Sequence, residues 1–229
     1  YLSIREEIKS VIVKDPVLYE DVRLLMSKSL LFDILIDGWS NDVNRQGKNE
    51  DAMLPLLPFP DQLILISILQ YGTKHVHIQK SRRQGASVFT SYYMSWILKH
   101  KGNHILGATH KDLKALDGGS TDIGLNSTFA RVRYYLDMSI LTPNDWQDRK
   151  KYWNQDVRYA FTAEKTLTFN GNSMIGGVLG KSILTGFQAH TILIDEIEVV
   201  CDLYPNLADQ IFAAFAPASL VIERPQFLP

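Results

Sequence analysis

The sequence has one cysteine, no excess of charge and no long apolar run, and each of these limits what the protein can be. Cys201 cannot form an internal disulfide, which fits a reducing compartment. The 24 Lys and Arg nearly balance the 25 Asp and Glu, so any DNA contact must be local or lie outside this chain. No apolar run approaches the roughly 18 residues of a membrane span, and the amino terminus lacks a signal-peptide layout. We therefore expect a soluble cytoplasmic protein without a membrane partner.

A hydrophobic content of 45% over 229 residues is enough for one large domain, alone or with a small appendage. Apolar residues recur at three- and four-residue steps over 4–40, which predicts helix. The polar stretch 41–51, followed by three prolines, favours a boundary. The sequence thus predicts a helical lead-in over 1–50 and a main domain over 51–229.

The main domain alternates predicted helices and strands in the manner of a mainly parallel sheet with helical crossovers. Asn170-Gly171-Asn172 has the composition of a hairpin turn between strands 159–167 and 173–178. The other predicted elements are, in order, helix 60–71, strand 75–79, helix 86–100, strand 103–109, strand 191–194, helix 206–215 and strand 219–223. This order predicts an α/β fold.

A basic, glycine-containing run joins the predicted strand 75–79 to the helix that follows it. A strand, tight turn and helix amino terminus cradle phosphate, because backbone N–H groups and the helix dipole converge on one point. A solvated basic turn is the alternative. The predicted nucleotide-binding residues of this run are Lys80, Ser81, Arg82, Arg83, Gln84, Gly85, Ala86 and Ser87.

Within this loop the usual lysine after the second glycine is replaced by Ala86. Lys80, where the loop begins, offers the missing charge and can fold across it to the β- and γ-phosphates of ATP. Arg83 can do the same or brace the loop. Gly85 permits close backbone approach, and the Ser87 hydroxyl is a candidate ligand of Mg²⁺.

Two adjacent carboxylates, Asp195 and Glu196, follow the apolar strand 191–194. Ligands of open α/β sheets bind at the carboxyl ends of the strands. We expect Asp195 to hold Mg²⁺, directly or through water, and Glu196 to orient and deprotonate the attacking water. An acidic helix cap after a core strand is the alternative.

A third feature, Phe59 to Gln62, precedes the phosphate loop. The Gln62 amide has a donor and an acceptor, enough to bond adenine at two positions, and Phe59 can pack against the base. A surface glutamine on the first turn of a helix is the alternative.

With these three features in this order, the chain resembles the large terminase subunits of tailed phages and their viral relatives. One branch of that family has a variant phosphate loop that opens with Lys and continues with Arg, Gly and Ser or Thr, as Lys80, Arg83, Gly85 and Ser87 do. The resemblance covers roughly 54–223. It implies a RecA-like ASCE P-loop fold that hydrolyses ATP with Mg²⁺, with Glu196, Lys80 and Arg83 as catalytic residues.

The resemblance also implies a homo-oligomeric ring acting on double-stranded DNA with a portal protein and a small terminase subunit, in the host cytoplasm. No nuclease domain fits after Glu223, so we predict no nuclease activity for this chain. Thr185 occupies the position where the family often has Arg. The Ser/Thr-rich coupling motif expected after the Asp-Glu strand is present only as Ala216-Pro217-Ala218-Ser219. Candidate arginine fingers are therefore Arg131, Arg133 and Arg158.

Two other functions share parts of these patterns. A helicase or another RecA-like ATPase has the same phosphate loop, Asp-Glu strand and adenine-reading glutamine, but usually needs a second motor domain. A non-catalytic nucleotide-binding or scaffold domain fits Ala86, because such a loop binds phosphate poorly, but does not need the Asp195-Glu196 pair. A structural metal site is not expected, because the six histidines offer no ligand spacing better than that of His75 and His77, which alternate on the predicted strand.

Overall fold

The computed structural model describes residues 2–41, 53–72, 85–101, 105–110, 127–140, 165–169, 172–178 and 189–195, with Val76, Ile78 and Gln79. The helices in these ranges are α1 Leu2–Lys14, α2 Pro16–Lys28, α3 Leu30–Asp37, α4 Pro60–Tyr71, α5 Ala86–His100 and α6 Thr128–Asp137. The strands are β1 Trp39–Asn41, β2 Met53–Pro55, β3 Ile105–His110, β4 Lys165–Phe169, β5 Asn172–Val178 and β6 Thr191–Ile194.

The helices expected in the first part of the chain are present over residues 2–37 as three helices separated by capping residues, and Trp39 and Ser40, expected to be helical, belong to β1. Asp15 caps α2, because its carboxylate accepts hydrogen bonds from the backbone N–H groups of Val17 and Leu18 at 2.9 and 3.1 Å. Ser29 ends α2 and caps α3, accepting from the N–H of Phe32 at 3.1 Å. The chain therefore turns sharply between α2 and α3.

Contacts cross the predicted boundary at residue 50. β1 and β2 pair antiparallel, with Trp39 opposite Pro55, and the N–H of Leu56 donates to the carbonyl of Gly38 at 3.0 Å. α3 also shares its core with α4 and α5. The division into 1–50 and 51–229 stays a prediction.

Within the described residues, four strands form a sheet in the order β4-β5-β3-β6. β3 pairs in parallel with β5 and with β6, whereas β4 pairs antiparallel with β5. The predicted hairpin around Asn170-Gly171-Asn172 is confirmed by the β4–β5 pairing. The RecA-like assignment as a whole stays a prediction, and helix 206–215 and strand 219–223 lie outside the described residues.

The predicted strand 75–79 is wrong at the residues that the structure describes there. Val76, Ile78 and Gln79 belong to no strand, because they form no ladder with the described strands of the sheet. His75 and His77 lie outside the described residues. A strand-like composition in a short segment does not by itself supply a pairing partner.

α5 lies at the centre of the main core. Its sequence is apolar on nearly every side, which is the pattern of a buried helix. α6 packs against it, and Met174 of β5 and Leu193 of β6 bring one face of the sheet onto the same core. The buried residues of this core are Leu30, Ile34, Leu56, Ile66, Phe89, Tyr92, Met94, Trp96, Ile97, Leu98, Phe129, Val132, Tyr135, Leu136 and Met174.

None of the helices in the described ranges is both long enough and apolar enough to cross a membrane.

Candidate nucleotide site

The amino terminus of α5 begins with a glycine in a conformation that other residues avoid. Gly85 has φ +75° and ψ +4°, in the left-handed region. Its carbonyl accepts from the N–H groups of Val88 and Phe89 at 2.9 and 3.2 Å, which starts the helix. No side chain among the described residues caps this end. The first backbone N–H groups of α5, on Ala86 and Ser87, therefore lie at a helix terminus that attracts anions.

The first turn of α4 holds the predicted base-reading residues. The Gln62 side-chain oxygen accepts from the N–H of Phe59 at 2.9 Å, and the N–H of Gln62 donates to the carbonyl of Phe59 at 2.9 Å. The Gln62 side chain thus caps the amino terminus of α4 from the third position of the helix. The Phe59 ring is largely exposed, with 72% of the residue's surface accessible. The Gln62 amide is therefore fixed against the backbone of Phe59 at the start of this helix, and the Phe59 side chain is exposed.

The structure brings Gln62 against Gly85. A Cβ atom at position 85 would lie 2.9 Å from Nε2 of Gln62, so any other residue there would displace the amide, in addition to the strain of the left-handed φ. The amide oxygen accepts from the N–H of Phe59, and the amide nitrogen lies next to Gly85. The predicted base-reading glutamine and the predicted phosphate-loop glycine are thus in contact, although 23 positions separate them (85 minus 62).

The carboxyl end of β6 carries Asp195. β3 and β6 run parallel in a register that pairs Thr109 with Ile194, so both strands end at one edge of the sheet. Asp195 follows directly after β6 and is half-buried. The four residues of β6 are also half-buried rather than fully enclosed. The carboxylate predicted to bind Mg²⁺ is therefore at the sheet edge where such ligands bind.

Several predicted site residues fall outside the described ranges: Lys80, Ser81, Arg82, Arg83, Gln84 and Glu196, and also Arg158. Arg131 and Arg133 lie on α6, both half-buried. Their assignment as arginine fingers stays a prediction. Within the described residues no three His, Cys, Asp or Glu side chains cluster as a metal-binding group. Ser87 lies in the first turn of α5 and Asp195 follows β6, and their assignment as joint ligands of Mg²⁺ stays a prediction.

A second polar cluster, which the sequence patterns did not reveal, lies at the carboxyl end of the same helix α5. The Lys99 ammonium is 2.6 Å from the Asp33 carboxylate and 3.1 Å from the Asp37 carboxylate, and all three side chains are fully buried. Nε2 of His100 lies 2.7 Å from the other oxygen of Asp33. The Tyr92 hydroxyl donates to Asp33 at 2.6 Å. These residues are called the buried ion cluster below.

The charged groups of the buried ion cluster shift each other's pKa values. Burial alone would raise the pKa of the Asp33 carboxyl, but the Lys99 ammonium and the His100 ring outweigh it, so this pKa is below its ordinary value. Burial would lower the pKa of Lys99, but Asp33 and Asp37 outweigh it and raise the pKa. Burial lowers the pKa of His100 despite the nearby Asp33 carboxylate. Asp33 and Lys99 therefore form a charged pair beside a neutral imidazole.

A weak sequence signal for this cluster existed. Asp33 and Asp37 lie four residues apart, on one face of a short helix that is otherwise apolar. Two carboxylates on the buried face of such a helix require a cation inside the protein. Their partners, Lys99 and His100, are more than 60 positions away, and nothing in the sequence identifies them.

No protein-family model matches this chain, and no curated protein matches it either.

Proposed function

We propose that this chain is the ATPase motor domain of a viral genome-packaging terminase, which hydrolyses ATP to drive double-stranded DNA into a procapsid. The observation that carries the proposal is the contact between Gln62 and Gly85, because it joins a base-reading pair and a phosphate-binding helix terminus. Asp195 at the carboxyl edge of the parallel strands β3 and β6 supports it. The resemblance in the sequence supplies the assignment to terminases.

In this proposal each residue has one task. Phe59 and Gln62 bind the base, and the Gly85–Ser87 backbone with Lys80 and Arg83 binds the phosphates. Mg²⁺, when bound through Ser87 and Asp195, neutralises charge on the phosphates. Glu196 takes a proton from the water that attacks the γ-phosphorus, and the bond to the β–γ bridging oxygen breaks. The products are ADP and inorganic phosphate.

The rest of the proposal follows from the resemblance. The domain has a RecA-like ASCE fold, assembles as a homo-oligomeric ring in the host cytoplasm, and works on DNA with a portal protein and a small terminase subunit. One of Arg131, Arg133 and Arg158 acts as the arginine finger. Because the acidic pair follows β6 directly, an active hydrolase fits the sequence better than a non-catalytic scaffold.

Steady-state ATP turnover with Mg²⁺ tests the proposal in two variants. Glu196→Gln loses the base and is expected to lower kcat by about 10²- to 10⁴-fold while nucleotide still binds. Lys80→Ala loses the phosphate contact and is expected to abolish turnover. Arg23→Ala, on the exposed face of α2, is the control and is expected to retain turnover. Near-wild-type turnover in both site variants would contradict the proposal.

Two further outcomes separate the other functions. Failure of the wild-type chain to bind nucleotide supports a scaffold. Binding without turnover, restored by double-stranded DNA, supports a motor that needs its ring neighbours and its substrate. Separation of a forked duplex by the active protein would indicate a helicase instead.

A further inference from the structure

The turn between α2 and α3, residues 26–33, is hydrogen-bonded to the carboxyl-terminal part of α4. Nε2 of Gln70 donates to the carbonyl of Lys28 at 2.9 Å, and Oε1 of Gln70 accepts from the N–H of Leu30 at 2.8 Å. A single amide of α4 therefore bonds the last turn of α2 and the first turn of α3 at once. We call residues 26–33 the corner.

The corner is also hydrogen-bonded to the carboxyl-terminal part of α5. Asp33 accepts from Tyr92, Lys99 and His100, as described above, and these three positions lie on one face of α5. Nε1 of Trp96, on the same face, donates to the carbonyl of Met26 at 2.7 Å. The Lys101 ammonium, just after the helix, donates to the carbonyl of Ser27 at 3.4 Å.

The opposite ends of these two helices form the candidate nucleotide site. Gln62 lies about 12 Å along α4 from Gln70, and Gly85 lies about 20 Å along α5 from Lys99, at 1.5 Å per helical residue. A continuous α-helix transmits a displacement along its axis because every turn is hydrogen-bonded to the next. Fixing both helices to the corner therefore fixes where Gln62 stands relative to Gly85.

We propose that the corner is a positioning element for the nucleotide site, with Gln70 and Asp33 as its positioning residues. Gln70 sets α4, which carries the base-binding pair, and Asp33 sets α5, which carries the phosphate-binding terminus. The inference rests on the proposed function for the identity of the ligand. It predicts that a variant with weakened corner contacts loses affinity for a nucleotide but keeps its affinity for a phosphate chain that has no base.

Gln70→Met tests this inference, because Met has similar length and makes neither hydrogen bond. Binding of Mg·ATP is expected to weaken on the order of tenfold, within what two neutral hydrogen bonds can contribute. Binding of magnesium tripolyphosphate is expected to stay unchanged, because it has no base to contact α4. Ser67→Ala is the matched control, since its exposed hydroxyl bonds the carbonyl of Leu63 in the same helix. It is expected to change neither affinity.

The ratio of the two affinities distinguishes positioning from a general loss of folded protein. An equal loss for both ligands, or no loss for either, would overturn the inference. Asp33→Asn is the second variant, because it weakens the contacts between the corner and α5 rather than those with α4. Like Gln70→Met, it is expected to lower the ratio of the affinity for Mg·ATP to the affinity for magnesium tripolyphosphate.

Hydrogen exchange of the unliganded chain gives a readout that does not depend on nucleotide. In Gln70→Met the amides of Phe59 and Leu63 at the start of α4 are expected to exchange faster, and in Asp33→Asn those of Val88 and Phe89 at the start of α5. The Arg131 amide in α6 is expected to be unchanged. If wild-type protein binds neither ligand, the proposed function fails and this exchange pattern alone decides the inference. Unchanged exchange at both helix starts would overturn it.

Discussion

The two ends of α5 differ in what their polar groups bind. At the carboxyl end, Tyr92, Lys99 and His100 bond to the buried Asp33, and the ion-pair side chains there are at most 1% exposed. At the amino end, no side chain of the described residues caps Gly85, and Phe59, at the start of α4, is 72% exposed. The polar side chains at the carboxyl end bind one another inside the protein, whereas the amino end begins with a left-handed glycine next to the Gln62 amide. Variants at the two ends should therefore fail in different ways.

The largest effect is expected from Lys99→Met. It leaves Asp33 and Asp37 buried without their shared cation, and removing one partner of a buried ion pair costs about 3–5 kcal/mol of unfolding free energy. Arg23→Ala is the control, because the Arg23–Glu20 pair is about half exposed and such pairs contribute about 0–1 kcal/mol. Urea unfolding at pH 7 measures both. Equal, small losses would show that the carboxyl end of α5 does not stabilise the fold.

An intermediate effect is expected from Gly85→Ala. The left-handed φ costs an alanine roughly 1–2 kcal/mol of conformational energy. The new Cβ would lie 2.9 Å from Nε2 of Gln62 and would therefore displace the amide. We expect a modest loss of unfolding free energy together with a clear loss of Mg·ATP affinity.

Gly107→Ala is the control for that variant. The added Cβ would meet Ile192 at 3.4 Å and Ala189 at 3.5 Å, which are ordinary contacts. It is expected to change nucleotide affinity little. Equal affinities of the two alanine variants would refute the importance of the Gln62–Gly85 contact.

The smallest effect is expected from pH. Because the folded pKa of His100 lies below its ordinary value of about 6.5, the unfolded chain binds that proton more readily. The stabilisation from neutral His100 is complete above this pH and is lost as pH falls through the lowered pKa, with a slope of at most about 1.4 kcal/mol per pH unit. The lowered pKa of Asp33 has the same sign and extends the loss below about pH 4.

Urea unfolding across the acid range checks the pH dependence in wild type and in His100→Gln. The variant is expected to flatten the curve between neutrality and pH 5 while keeping the loss at lower pH. An unchanged slope would assign the pH dependence to other groups.

The sequence allowed the bounds of α4 and α5 to be predicted because strong local signals mark their ends. Pro60 opens α4, and Gly85 opens α5 in a conformation that favours glycine. β1 and β2, at three residues each, are too short for any periodicity and were missed. The strand expected at 75–79 shows the opposite error, because a strand-like composition without a pairing partner does not make a sheet.

The candidate site was only partly predictable for a related reason. Motif order placed Gln62, Gly85 and Asp195 in one function, and the Gln62–Gly85 contact agrees with that order. Asp33 and Lys99 carry no motif, because their pairing depends on tertiary packing across 66 positions. Local patterns thus predicted a ligand site at the amino end of α5, whereas the contacts at its carboxyl end became visible only in the structure.

The most direct measurement for the central claim is a calorimetric titration of Mg·ATP into the wild-type chain and into Lys80→Ala. The account predicts saturable binding that requires Mg²⁺ and is lost in the variant, while Arg23→Ala binds as wild type does. Absence of binding to the wild-type chain, or equal binding by Lys80→Ala, would contradict the assignment of this site to ATP.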